Sequence, residues 1–232
     1  MVLILYPLAT RMAQAPRTAG SSASLSDDPI ESLTTWLQVN SKPIAMVLGG
    51  AAVAAAAVFL YRSTTASTRE KASAALYTAQ QPFVEGKFGE AETALKKVAD
   101  GFGSTASGQQ ATLMLAQVYF EQKKYDEGIK AAEQAVGSAS AEFKPSLHAM
   151  AASGYELKGD MTKAAEAYGK AAAASRFETE KQTFQAAQAR SLMAAGKAAE
   201  AKPIWESLAQ LDGTQVQQEA QVRLGEIAGK QP

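Results

Sequence analysis

A repeat about every 37 residues constrains this chain more than any other feature. Four segments align: "GKFGEAETALKKVA" from Gly86, "KKYDEGIKAAEQAV" from Lys123, "GDMTKAAEAYGKAA" from Gly159 and "GKAAEAKPIWESLA" from Gly196. Each carries a small residue at the same place, Ala91, Gly128, Ala164 and Ala201, separated by 37, 36 and 37 residues. Four residues later stand Leu95, Ala132, Tyr168 and Trp205, and three beyond those stand Val98, Ala135, Ala171 and Leu208. Positions i, i+4 and i+7 share one helical face, so each segment reads as an amphipathic helix. A second helix precedes it. "ATLMLAQVYFEQ" groups Leu115, Ala116 and Tyr119, "HAMAASGYELKGD" groups Ala151, Ala152 and Tyr155, and "QAAQARSLMAAGK" groups Ala189 and Leu192 more weakly. Gly159 and Gly196 end these helices and turn the chain. One such pair cannot bury its apolar stripe alone, so neighbours are expected to stack into a right-handed curved array.

Upstream lies "SKPIAMVLGGAAVAAAAVFLYRS", with no charge between Lys42 and Arg62. Ile44 to Tyr61 would make a helix of about 27 Å, enough for a hydrocarbon core. Asn40 or Ser41 is placed to cap it, and Pro43 suits its first turn. Trp36 and Tyr61 stand near opposite ends, where amphipathic rings favour the interface. Seven alanines and two glycines make its hydrophobicity marginal. They suit close helix contact instead, and Ala45, Gly49, Gly50 and Ala54 are the expected packing positions. A buried soluble helix is one rival reading. A signal peptide cleaved after Thr64-Thr65-Ala66 is another, although the run starts late for that. Before it, "DDPIESLTTWLQVN" reads as a short amphipathic helix at the interface, with Asp28 as cap and Ile30, Leu33 and Leu37 on one face.

The expected fold class is therefore all-α: a single transmembrane helix, then an α-solenoid of about four helix pairs and a C-terminal capping helix. The expected domain map has a disordered tail at 1–28, of which 1–11 reads as a start-site artefact or a membrane-touching tail. An interfacial helix follows at 29–40 and the span at 43–62. The repeat domain covers 66–232, with units near 66–100, 108–140, 145–176 and 181–212. "TQVQQEAQVRLGEIAG" within 214–229 is the cap, with Val216, Ala220 and Leu224 facing inward.

Composition removes several functions. Lys plus Arg and Asp plus Glu stand at 23 each, which gives no basic excess for nucleic acid. The absence of cysteine excludes thiol nucleophiles and cysteine-ligated metals, and one histidine argues against a His-based metal site. That residue, His148, reads as packing or surface on the first helix of unit three. No GxGxxG loop occurs, and no serine has a credible base. No catalytic, cofactor or metal site is expected, and no small-molecule substrate. Partners are expected to be proteins, with lipid around the one span.

The paired helices resemble the tetratricopeptide repeat (TPR). Units two and three carry the resemblance: Leu115-Ala116, Tyr119 and Tyr125, then Ala152, Tyr155, Gly159, Ala164, Tyr168 and Ala171. That repeat has a period of about 34, so the extra residues here are assigned to loops such as "GFGSTASG". Pro82 falls where unit one should have an aromatic, and should kink or shorten its helix. The resemblance implies that the first helix of each pair lines an inner binding face. By position this face comprises Leu76, Gln80, Phe83, Leu113, Gln117, Phe120, Glu121, Ser153, Glu156, Leu157, Arg190 and Met193. It has no basic clamp for a carboxylate tail.

The layout from Ile30 onward also resembles the TPR-like ancillary subunit of the bacterial Sec translocon. The matching pieces are "WLQVNSKP" with Trp36, Asn40 and Lys42, the following "LGG", and "YR" at 61. The resemblance implies an inner-membrane protein with a cytoplasmic N-terminus and a periplasmic repeat domain. It implies an adaptor or chaperone-like role toward translocon subunits and folding envelope polypeptides. A structural subunit of another membrane complex has the same layout. Flanking charge alone favours the opposite orientation, with Lys42 before the span and Arg62, Arg69 and Lys71 after it. Large C-terminal domains, however, translocate largely regardless of charge.

Overall fold

The computed structural model describes residues 29–229. The expected tail at 1–28, its start-site segment and the Asp28 cap lie outside the described residues. Every described element is helical: α1 (Pro29–Val39), α2 (Ser41–Ala79), α3 (Gln81–Val84), α4 (Phe88–Phe102), α5 (Ala106–Glu121), α6 (Tyr125–Val136), α7 (Lys144–Leu157), α8 (Met161–Ala174), α9 (Glu178–Ala194), α10 (Ala198–Leu208) and α11 (Gln215–Gly229). They fall into two compact units, Met1–Val58 and Phe59–Pro232.

In the first unit, α1 ends because Pro43 has no N–H to give the Val39 carbonyl four residues back. Asn40 does not use its side chain to cap α2. Its backbone N and Nδ2 both donate to the Trp36 carbonyl, at 3.0 and 2.9 Å. Ile30, Leu33, Trp36 and Leu37 are all exposed. The stretch 41–58 is exposed apart from a half-buried Ile44. The helix around it is long and apolar enough to cross a membrane. It does not stop at Arg62, because Ser63 to Ala79 contains no proline or glycine. Thr64, Thr65 and Thr68 turn their hydroxyls onto the carbonyls of Leu60, Tyr61 and Thr64, so they too fit within a helix.

The second unit is the helix-pair array. The small residues of the repeat are its seam: Ala91, Ala164 and Ala201 are fully buried, and Gly128 is buried too. The stripe beside them is buried at Leu95, Ala132, Trp205, Val98, Ala171 and Leu208, and half-buried at Tyr168 and Ala135. One cluster joins Leu95, Val98, Leu115 and Val118, with Leu76, Phe83 and Phe102 packed on it. Ile129, Ala132 and Ala151 form a smaller middle cluster with Phe120 and Tyr155. The third gathers Trp205, Leu208 and Leu192, and α11 covers it with Ala220 and Ile227. Phe120 wedges the middle together. A Cβ on Gly128 would fall 2.3 Å from its Cε1, and one on Gly154 would fall 2.7 Å from its Cζ.

The turn inside each pair repeats to the residue. Gly86, Lys123, Gly159 and Gly196 all have positive φ, at 73°, 59°, 80° and 76°. The residue after each one donates its backbone N–H back to Pro82, Tyr119, Tyr155 and Leu192 respectively. Unit one therefore makes the same turn although Pro82 breaks its first helix, which stops at Ala79 and resumes as α3. Lys123 is the one non-glycine among these four positions. The left-handed region costs an L side chain about 1–2 kcal/mol, partly offset by glycine's greater freedom when unfolded. Lys123→Gly should therefore raise unfolding stability by about 0.5–1 kcal/mol in urea denaturation, and Gly159→Ala should lower it by at least as much.

Candidate protein-interaction face

The inner-face positions inferred from the repeat pattern divide into two groups in the structure. Leu76 and Phe83 are half-buried against the first core cluster, with the Phe83 ring tilted 55° to Phe88 at 6.1 Å. Phe120 fills the gap between Gly128 and Gly154, and Met193 packs on the Trp205 cluster. The Trp205 indole N–H points at the Met193 sulfur, 3.2 Å away. Gln80 and Leu113 are half-buried. Gln117, Glu121, Leu157 and Arg190 are exposed. Leu157 is the clearest apolar contact point, with 53% of its surface open.

Two charged members of this face are held by neighbouring units. Glu156 on α7 accepts from Tyr168 Oη at 3.1 Å and from Ser191 Oγ at 2.9 Å, which links α7 to α8 and α9. Ser153 Oγ lies 3.4 Å from the same Tyr168 hydroxyl and donates to the Ala149 carbonyl at 3.1 Å. Burial, more than any neighbour, pushes the Tyr168 phenol above its ordinary range. Arg190 on α9 donates through one nitrogen to both carboxylate oxygens of Glu219 on α11, at 3.1 and 2.9 Å. The sequence pattern did not reveal Glu219 or Ser191. Ser191 occupies a 2% exposed site where the repeat pattern allows any small residue.

Further polar links join successive pairs. Lys124 donates to Glu92 at 2.8 Å, and this hydrogen bond is the main reason the Glu92 carboxyl is held below its ordinary value. Gln122 Nε2 bonds the same carboxylate at 3.0 Å and the Phe88 carbonyl at 3.1 Å. Lys158, which stands one unit on from Gln122, pairs with Asp126 and joins α7 to α6. Tyr155 Oη donates to Glu133 at 2.9 Å. His148 is half-buried on α7, and burial pushes its imidazole below the ordinary value. Among the described residues there is no cluster of side chains that could hold a metal ion. In the apolar segment, Ala45, Gly49, Gly50 and Ala54 are exposed, and a Cβ on either glycine would meet nothing within 4 Å.

The family model described as a tetratricopeptide repeat-like domain matches residues 51–186, more than half of the chain. Solved structures share the fold. The nearly identical TPR-like repeats from Podosopora anserina, provisionally described as a kinesin light chain, superpose with a TM-score of 0.53 at 17% identity. The match covers 69% of this chain and 87% of that one. A tetratricopeptide repeat protein from Parabacteroides merdae gives a TM-score of 0.53 at 13% identity, covering 69% of this chain and 61% of that chain. At such identities the likeness concerns the fold alone. No curated protein matches the chain in sequence.

Burial first, and then the Glu133 hydrogen bond, push the Tyr155 phenol from its ordinary 10 to about 12. The folded state thus keeps a proton that the unfolded state loses near pH 10. The stability contributed by this bond is complete below about pH 10 and lost as pH rises toward about 12. Tyr155→Phe should flatten that alkaline fall in thermal melts. Phenolate absorbance of the wild-type chain should show a late-ionising fraction, and Tyr155→Phe should reduce it by one tyrosine.

Proposed function

We propose, because this chain belongs to the tetratricopeptide repeat-like domain family, that it is a membrane-anchored, non-catalytic adaptor whose repeats hold other proteins. Domains of this kind generally bind proteins. The observation that carries the reading is the joint presence of the stacked helix pairs and one helix apolar enough to span a bilayer. A repeat array needs no anchor to bind soluble partners. A tethered array acts where its partners meet the membrane, at the raised effective concentration that tethering gives.

The partner class follows from the segment around the span. "WLQVNSKP", the following glycine pair and "YR" at 61 resemble the ancillary subunit of the Sec translocon. On this reading the protein sits in the bacterial inner membrane, with its N-terminus cytoplasmic and its repeats periplasmic. There it contacts translocon subunits and polypeptides folding in the envelope. A photo-crosslinking residue at Leu157, in full-length protein in native membranes, should capture translocon subunits or periplasmic folding factors. Capture of neither overturns this partner class. The open faces of Gly49 and Gly50 support a second reading, a scaffold for another membrane complex docked through the span. Gly49→Leu and Gly50→Leu should then strip that complex from the purified protein, whereas crosslinks at Leu157 would persist.

Orientation has a clean test, because the chain contains no cysteine. A single Glu121→Cys should be labelled by a membrane-impermeant maleimide in intact spheroplasts. Labelling only after lysis would place the repeats in the cytoplasm.

A further inference from the structure

A groove of about 440 Å³ lies between α4 and α6, floored by α5 and walled by the second helices of two successive pairs. It differs from the inner face, which is lined by first helices. The wall on the α6 side runs from Glu127 to Ser138, just past the end of α6, and its α6 part from Glu127 to Ala135 is about 12 Å long, enough for about four residues of extended chain. Its walls are lowered by Ala99, Ala131 and Ala135, which leave the space open.

The floor carries a directed donor. Gln109 is only 3% exposed. Its Oε1 accepts from both the backbone N–H and the hydroxyl of Ser140, each at 3.1 Å, so the amide orientation is fixed by that N–H, which can only donate. Its Nε2 meets no acceptor among the described residues, yet it is not sealed from the surface. The open space that Gln109 lines is the groove. Thr112 beside it is already spent on the Gly108 carbonyl at 3.1 Å.

The corresponding positions one unit along the array carry different side chains. There, 36 residues on, His148 replaces Thr112 and Tyr155 replaces Tyr119. Tyr155 donates to Glu133 at 2.9 Å; a lysine lies over the ring in both units, Lys163 over Tyr155 at 5.6 Å and Lys124 over Tyr119 at 5.8 Å. In the first groove Lys96 occupies the place of Glu133 and turns to Asp100 at 3.1 Å instead. Among the described residues Tyr119 therefore makes no hydrogen bond like that of Tyr155 to Glu133. Lys96 and Lys130 face Asp100 and Glu127 across its lining, two charges of each sign. Such a balance does not select a charged ligand.

We propose that this groove binds an extended, uncharged stretch of polypeptide, with the Gln109 amide donating to a backbone carbonyl. An elongated recess with one buried donor, small walls and balanced charge recognises backbone more than side chains. That suits an unfolded segment of many sequences. The proposal depends on neither the span nor the translocon reading.

The test uses full-length protein in detergent and an uncharged fluorescent peptide of Ser, Thr and Val, followed by anisotropy. Binding should saturate and should change little between low and high salt, because no net charge is involved. Gln109→Glu keeps an acceptor for Ser140 but removes the donor, and should weaken binding about tenfold. Gln134→Trp, at an exposed wall position, should block the groove to a similar extent without disturbing the core. Leu157→Asp on the inner face should leave the affinity unchanged. If Gln109→Glu unfolds by circular dichroism, Gln134→Trp alone decides. No saturable binding to wild type, wild-type affinity in Gln134→Trp, or a loss confined to Leu157→Asp would each overturn the proposal. Translocon crosslinking at Leu157 is read separately, so either idea can fail alone.

Discussion

Close approach of paired helices at one small residue per unit is the constraint on which the array depends. Ala91, Gly128, Ala164 and Ala201 sit where any larger side chain would push the second helix away from its partners. The middle of the array shows how tight this is, since the Phe120 ring occupies the space that a Cβ on Gly128 or Gly154 would need. Interiors packed at crystal-like density transmit such a requirement to their neighbours. The left-handed turns at 86, 123, 159 and 196 then return the chain at the one angle that keeps this contact.

Stacking between pairs has a second layer of control. Lys124 with Glu92, Lys158 with Asp126, Tyr155 with Glu133, and Glu156 with Ser191 each join one pair to the next. The ion pairs among them are solvent-screened, so each contributes little by itself. Their joint effect is directional. Each fixes how far one pair is rotated against the next, which apolar contact alone leaves loose. Several side chains expected to greet a partner are used in this way, so the free inner surface narrows to positions such as Gln117, Glu121 and Leu157.

The seam was legible in the sequence because one residue per unit must be small, and 37, 36 and 37 residues is a regular signal. The apolar segment was legible because charge is missing over a bilayer's length. The end of α2 was not, because nothing after Arg62 forbids helix, and a boundary needs a breaker. The turn at Lys123 was hidden by its side chain, since glycine is the usual mark of positive φ. The occupied state of Glu156 and Arg190 was hidden for a different reason. Their partners lie 35 and 29 residues away, and such pairings depend on the rise and rotation between units. Periodicity gives a residue its face and leaves open what lies opposite.

The three core clusters differ in bulk. Trp205, Leu208 and Leu192 anchor one, Leu95, Val98, Leu115 and Val118 another, while the cluster between them rests on Ile129, Ala132 and Ala151. Buried apolar area sets the strength of each, at about 25 cal/mol per Å². In a linear array, where each pair answers chiefly to its neighbours, the loss of a packing residue is felt first by the adjacent pairs. The light central cluster is offset by Phe120, whose ring fills the space beside both Gly128 and Gly154. One aromatic side chain from α5 thus couples α6 to α7, and with them the two heavier clusters on either side.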